Sequence, residues 1–168
     1  MKISTRGGDA GETSLGDGTR VPKDDAVISL NGAIDECQAF AGAARAVSGG
    51  RIHENITHIE QDLGLLMGYI SRYKGCECPP IEFLEEIITE AESSAEALKF
   101  MLPGESQLDA ALHIARTVSR RAERFCVDLY RNGRIGADVM QYLNRLSDCF
   151  YALLVLSKSD LSKEYQNV

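Results

Sequence analysis

Residues 112 to 125, LHIARTVSRRAERF, decide how the rest of the chain is read. Leu112, Ala115, Val118, Ala122 and Phe125 recur at steps of three and four, and with Leu108 and Leu129 they make one apolar stripe of an amphipathic helix. On that helix Arg116, Arg120 and Arg124 stand four residues apart, which puts their guanidiniums on nearly one face. Like charges at this spacing repel by about 0.2–0.5 kcal/mol per pair. Burying them without anionic partners is far more unfavourable. Folding alone gives no reason for such a column. A polyphosphate ligand, carboxylates from elsewhere, or a solvated basic face with Glu123 and Asp128 as local partners would each account for it.

Outward from this helix the same period holds. Val27, Leu30, Ile34, Cys37, Ala41 and Ala44 form a stripe opened by the capping candidates Asp24 and Asp25 and stopped by Gly49-Gly50. Ile52, Ile56, Ile59, Leu63, Leu66 and Ile70 form a second, and Gly75 and Pro79-Pro80 then break the chain. Ile81, Leu84, Ile88, Ala91, Ala95 and Leu98 form a third, ended by Pro103-Gly104, with Ser106 or Asp109 placed to cap the arginine helix. After the Asn132-Gly133 turn come Met140, Leu143, Leu146, Phe150 and Leu153. No stretch alternates with the period of a strand. The pattern predicts an all-α, up-and-down five-helix bundle over residues 26–158. It is preceded by a glycine-rich segment, 1–25, that reads as a mobile loop, and followed by a polar tail, 159–168, expected to fray.

A chain of 168 residues fits one domain, burying roughly 70% of the surface its unfolded form exposes. Its net charge of −7 and pI near 5.0 argue against broad nucleic-acid binding, which needs an extended basic surface. A local basic cluster on an acidic protein points instead to a small anionic ligand. No apolar run reaches the length of a membrane span, and MKISTRGGDAGETS lacks the apolar centre of a signal peptide, so a cytoplasmic protein is expected. The five cysteines are odd in number, and Cys76-Glu77-Cys78 is a single C-x-C. Reduced thiols are expected rather than a disulfide framework or a zinc site. His53-Glu54 with His58 misses the H-E-x-x-H pattern by one residue. Five residues turn a helix by about 140° where four turn it by about 40°, so the imidazoles diverge. No protein metal site and no Ser/His/Asp or Cys/His set can be assembled.

Polar groups of another kind remain. Thr5-Arg6-Gly7-Gly8-Asp9-Ala10-Gly11, with Lys23 downstream, has the composition of a phosphate cradle, although a disordered N-terminus fits it as well. Asp35 sits among Ile34 and Cys37, and Asn144 and Asp148 stand four apart on the fifth helix. An acid beside a core stripe needs a partner. The arginine column offers one, as would interhelix salt bridges that fix register.

Taken in order, TRGGDAG, VPKDD, GAIDE, FMLPG, ARTVSRRAER and YLNRLSD form a series that resembles the PduO-type ATP:corrinoid adenosyltransferase family, from Lys2 to about Leu156. The resemblance implies a homotrimer of five-helix bundles with active sites between subunits. It implies ATP, Mg2+ and cob(I)alamin as the bound species, with transfer of the 5′-deoxyadenosyl group to cobalt and release of triphosphate. It assigns Thr5, Arg6, Gly7, Gly8, Asp9, Gly11 and Lys23 to a lid over the triphosphate, and Arg120 to phosphate binding with Arg124 and Glu123 beside it as ligand or magnesium-side support. Arg116 and Asp35 look like an intersubunit salt bridge at the corrinoid pocket, Phe100 like the aromatic crowding the lower face of cobalt, and Asn144 like the adenosine reader. A reductase and an adenosylcobalamin-dependent enzyme would be transient partners. Four departures from the family pattern stand out: Gly7-Gly8-Asp9 in place of T-G-D, Glu105 in place of a glycine, Ser119 in place of a cysteine and Cys37 in place of a leucine. A non-catalytic carrier of ATP or adenosylcobalamin on the same fold is the alternative function. A purely structural bundle is a third reading.

Overall fold

Asp25 opens the first helix. Its carboxylate accepts a hydrogen bond from the Val27 N–H at 2.8 Å, satisfying a donor that the helix itself leaves unpaired. The computed structural model describes residues 6–93 and 102–166, with side chains as far as Lys158. It contains α1 (Ala26–Ala46), α2 (Gly50–Ile70), α3 (Glu82–Glu92), α4 (Gln107–Arg131) and α5 (Ala137–Gln166). These are the five helices that the apolar stripes predict. Ser106 rather than Asp109 caps α4, accepting from the Asp109 N–H at 3.0 Å. Gly49-Gly50, expected to end α1, begins α2 instead, with Gly49 in an extended N-cap conformation.

α4 is the central helix. It packs against α1 on one side and α5 on the other, while α1 also carries α2, and α5 also carries α3. Small residues permit the close α1–α4 contact: Ala33, Ala41 and Ala44 on α1 and Ala115 and Ala122 on α4 are all buried, and the Cys37 thiol reaches the Ala115 carbonyl at 3.6 Å. The larger fully buried side chains, among them Leu30, Ile34, Ile56, Leu63, Leu112 and Leu143, fill the space between. Each contributes about 1.5–3 kcal/mol. Phe125, expected on the core stripe, is 42% exposed, and the next residue, Cys126, is buried in its place. The step from Ala122 to Phe125 is three residues, which swings the ring about 60° off the stripe, whereas the four-residue step to Cys126 keeps within about 40° of it.

The N-terminal segment departs most from expectation. Glu12–Ser14 (β1) and Arg20–Pro22 (β2) pair as an antiparallel hairpin with Thr13 opposite Val21. Three-residue strands are too short to register as alternation in a sequence. The hairpin turn is tied to the bundle: Leu15 is buried in the core, the Gly16 N–H donates to the Ser71 carbonyl at 2.7 Å, and Asp17 pairs with Arg72 at 3.4 Å. A methyl group at Gly16 would meet the Tyr73 ring at 2.5 Å, so only glycine lets the two backbones approach this closely. A second tie joins Asp25 to Arg134, in the α4–α5 connection, at 2.8 Å.

Gly16→Ala is expected to destabilise the protein by about 1–3 kcal/mol through overpacking, read as a lower melting temperature and faster proteolytic nicking within the hairpin. An unchanged melt with unchanged nicking would contradict the docking described. The Val27 N–H, and then the Arg134 guanidinium, hold the Asp25 carboxyl below its ordinary range. Its contribution to stability is therefore complete above the unfolded pKa and fades as pH falls through the lower folded value. Asp25→Ala is expected to cost about 1 kcal/mol or more at neutral pH, with the wild-type and variant denaturation curves converging in strong acid. A gap that persists there would contradict the assignment.

Candidate active site

Two of the three arginines enter one cleft. α3, α4 and α5 enclose a space of about 320 Å³, lined by Arg116 and Arg120 from α4, Asp148 and Tyr151 from α5, and Ile88 and Glu92 from α3. The four-residue spacing carries both guanidiniums into it, one turn apart. Arg116 is half-buried, and its Nε is enclosed without a hydrogen-bond partner. Among the described residues no carboxylate pairs with Arg116 or Arg120, although Asp148 and Glu92 border the same cleft. A buried guanidinium N–H left unmatched costs free energy that the fold does not recover. Guanidiniums of this kind have the chemistry to hold a phosphate or carboxylate.

The remaining members of the column and its expected partners separate. Arg124 is exposed and donates to the Arg120 carbonyl at 3.1 Å; Glu123 is half-buried between them in sequence. Asp35 is exposed on α1 and makes no pair with Arg116 within the chain. The arginine that binds α1 is Arg121, whose guanidinium bonds the Glu36 carboxylate. One residue past Arg120, it is turned about 100° toward α1. Asn144 is exposed on α5, one turn before Asp148. Ser119 is fully buried and satisfies its hydroxyl by donating to the Arg116 carbonyl at 2.8 Å, so serine occupies that core position with its hydroxyl satisfied.

The glycine-rich loop is folded onto the hairpin. The Asp9 N–H donates to the Arg6 carbonyl at 3.3 Å and the Gly11 N–H to the Gly8 carbonyl at 3.2 Å, two successive turns. Lys23 closes the loop from the far strand: its N–H donates to the Gly11 carbonyl at 2.8 Å, and its ammonium lies where a methyl at Gly8 would meet it at 2.9 Å. Arg20, which sequence reasoning passed over, clasps the loop by donating to the Gly7 carbonyl and to Glu12, each at 3.2 Å. The Lys23 ammonium and the two turns of the loop thus lie together on one rim of the hairpin. No described hydrogen bond or ion pair joins this rim to Arg116 or Arg120. Arg120 lies eleven residues before the end of α4 at Arg131, about 16 Å along the helix, whereas Lys23, which closes the loop, is two residues from Asp25, whose partner Arg134 follows that end. Thr5 and Phe100 lie outside the described residues.

The histidines and cysteines do other work. His58 stacks on Phe83 with centroids 3.8 Å apart, and His53 Nδ1 lies 3.1 Å from the Arg45 carbonyl. The cysteines are free thiols, and burial pushes Cys37 and Cys126 up to about 12, far from nucleophilic. Among the described residues no group of three or more His, Cys, Asp or Glu side chains is placed to hold a metal ion. Sequence reasoning missed Asp109 and His113 as companions of the arginines. Asp109, His113, Arg116 and Arg120 fall within about 60° of one another around the helix, and the first two are buried at 4% and 5% exposure. The spacing was present in the sequence, hidden because Asp109 also fits a cap.

Residues 3–157 match the family model for cobalamin adenosyltransferase. The corrinoid adenosyltransferase of Bacillus subtilis is 39% identical over 163 residues, covering 90% of this chain and 84% of that protein. The cobalamin adenosyltransferase of Cupriavidus metallidurans is 38% identical over 157 residues, covering 90% and 85%. The Salmonella typhimurium corrinoid adenosyltransferase PduO is 36% identical, and the match spans 51% of its length. A variant of the PduO-type ATP:corrinoid adenosyltransferase from Lactobacillus reuteri, complexed with cobalamin and ATP, superposes with a TM-score of 0.82 at 31% identity over 91% of both chains. With a family match over nearly its whole length, the chain belongs to the cobalamin adenosyltransferase family.

Proposed function

We propose that this protein is an ATP:corrinoid adenosyltransferase, which transfers the 5′-deoxyadenosyl group of ATP to the cobalt of cob(I)alamin and releases triphosphate. The observation that carries the reading is the pair Arg116 and Arg120, held in a cleft without a carboxylate partner among the described residues. In the reaction the cobalt(I) electron pair attacks the 5′ carbon of ATP. A cobalt–carbon bond forms, the carbon–oxygen bond breaks, and its electrons leave with triphosphate. Negative charge gathers on the leaving group, so guanidiniums fixed beside it stabilise the transition state more than the ground state. The nucleophile belongs to the corrinoid. The chain accordingly needs no general base, and its buried, high-pKa thiols have no part in the chemistry.

Arg120 takes the phosphate role, with Arg124 and Glu123 beside it. Arg6, Lys23 and the amides around Gly7, Gly8, Asp9 and Gly11 close over the triphosphate, and Thr5 belongs to the same segment. Asn144 reads the adenosine. Phe100 packs below cobalt, where an apolar ring keeps a lower ligand away and makes the reduced state easier to reach. A bound Mg2+ would offset the triphosphate charge, with Glu123 as the carboxylate that would support it. Among the described residues no bond joins the loop to the cleft arginines of the same chain, which is compatible with the homotrimer of the family resemblance, its sites joining the loop of one subunit to the arginines of the next, with Arg116 paired to Asp35 across the interface. Among the described residues no helix is long and apolar enough to cross a membrane. We place the protein in the cytoplasm, where a reductase supplies cob(I)alamin and an adenosylcobalamin-dependent enzyme takes the product.

The test of the activity is anaerobic incubation with magnesium-ATP and chemically reduced cobalamin, followed by visible absorbance. A light-sensitive adenosylcobalamin spectrum is the expected result. ATP-dependent thermal stabilisation without conversion would make the protein a carrier instead. Arg120→Ala is expected to lower kcat/KM by roughly 100-fold or more, the scale of one lost transition-state donor, with the melt retained; wild-type turnover would remove Arg120 from the phosphate site. Neither Lys23→Ala nor Arg120→Ala should turn over alone. Co-expressed, they should regain activity in about a quarter of the sites if loop and arginine come from neighbouring subunits. No recovery would place both in one chain.

A further inference from the structure

Asp148 is left without a task by the reaction, although it stands at the boundary between two spaces. One is the arginine cleft, of about 320 Å³. The other, of about 350 Å³, lies between α3 and α5 and is lined by Glu85, Thr89 and Arg145. Ile88, Glu92 and Asp148 line both, so the two adjoin in one groove. Three guanidiniums reach this groove, yet among the described residues none pairs with Asp148 or Glu92. Arg145 is matched to Glu85 at 3.0 Å. Arg116 and Arg120 have no carboxylate among the described residues, and Ala91, Ala152 and Val155 complete the lining with apolar surface. Two unmatched cations and two unmatched acids thus share one partly apolar groove.

An anion suits the arginine end of such a groove alone, because Asp148 and Glu92 repel it; a cation meets the reverse. An uncharged group that both accepts and donates suits the whole. A primary amide does so: its carbonyl oxygen accepts from a guanidinium, and its NH2 donates to a carboxylate. A corrinoid is a flat apolar ring edged with such amides, so one edge of it matches apolar, cationic and anionic lining together. We propose that Asp148, with Glu92, is a specificity residue that selects amidated corrinoids over those carrying a carboxylate at the same position of the ring. Exchanging NH2 for O− removes the donor and sets a like charge against Asp148. The arginines cannot compensate at that position, since they face the carbonyl side of the same group. The proposal rests on the corrinoid reading given above.

The experiment measures anaerobic binding of cob(II)alamin and of its monocarboxylic acids, each made by hydrolysing one peripheral amide. Wild type, Asp148→Asn and the double variant Asp148→Asn with Glu92→Gln are compared by calorimetry, after melting shows each to be folded. Wild type is expected to bind at least one monoacid about tenfold or more weakly than cobalamin. Asparagine keeps an acceptor but loses the charge, so Asp148→Asn should narrow that ratio and the double variant should bring it within about threefold. A ratio near one for every monoacid in wild type would overturn the proposal, as would a wild-type ratio that survives in the double variant. A loss confined to ATP binding would give the acids to the nucleoside and overturn it too. Turnover is judged separately. If wild type prefers cobalamin to its monoacids but forms no adenosylcobalamin, the function falls and the selection stands. If it adenosylates cobalamin and every monoacid alike, the selection falls and the function stands. Absence of any corrinoid binding removes both.

Discussion

The rest of the molecule is arranged around two guanidiniums that no carboxylate among the described residues neutralises. Arg116 and Arg120 line the α3–α4–α5 cleft, carried by α4, which is packed on both flanks by α1 and α5. Apolar contact along Leu112, Ala115, Val118, Ala122, Cys126 and Leu129 holds the helix whether or not an anion is bound. Apolar packing thus fixes the helix that carries the arginines, while the Arg120 side chain stays exposed.

The same economy shows in how neighbouring charges are handled. Arg121 is matched to Glu36, Arg145 to Glu85 and Arg134 to Asp25, so the bundle pairs the cations that serve structure. The cations of the cleft are spared. On the N-terminal side the hairpin is anchored at its turn by Leu15, Gly16 and Asp17, while among the described residues its glycine-rich half is held by turns, by Lys23 and by Arg20.

Much of this was legible in the sequence because α-helical period is a strong signal. The stripes of α1 and α2 are buried at every position the spacing selects, from Val27 to Ala44 and from Ile52 to Ile70. Phe125 went wrong because a three-residue step sits at the margin of the stripe and bulk was taken for burial. The hairpin went unseen because its strands are three residues long and glycine composition dominated the segment. The arginine column was visible, but not its division: the sequence gives the angle between Arg120 and Arg121, not which neighbouring helix each angle meets. Asp109 fits a cap by its place in the sequence, whereas its burial beside Lys158, 49 residues further along the chain, depends on the fold. Long-range pairs of this kind leave no periodic trace.

The most direct measurement is a crystal structure grown with magnesium-ATP. The account predicts triphosphate oxygens within hydrogen-bond distance of the Arg120 guanidinium, with Lys23 and the glycine-rich loop of a neighbouring subunit closed over them. Triphosphate bound elsewhere, with Arg116 and Arg120 instead paired to Asp148 and Glu92 of their own chain, would contradict it.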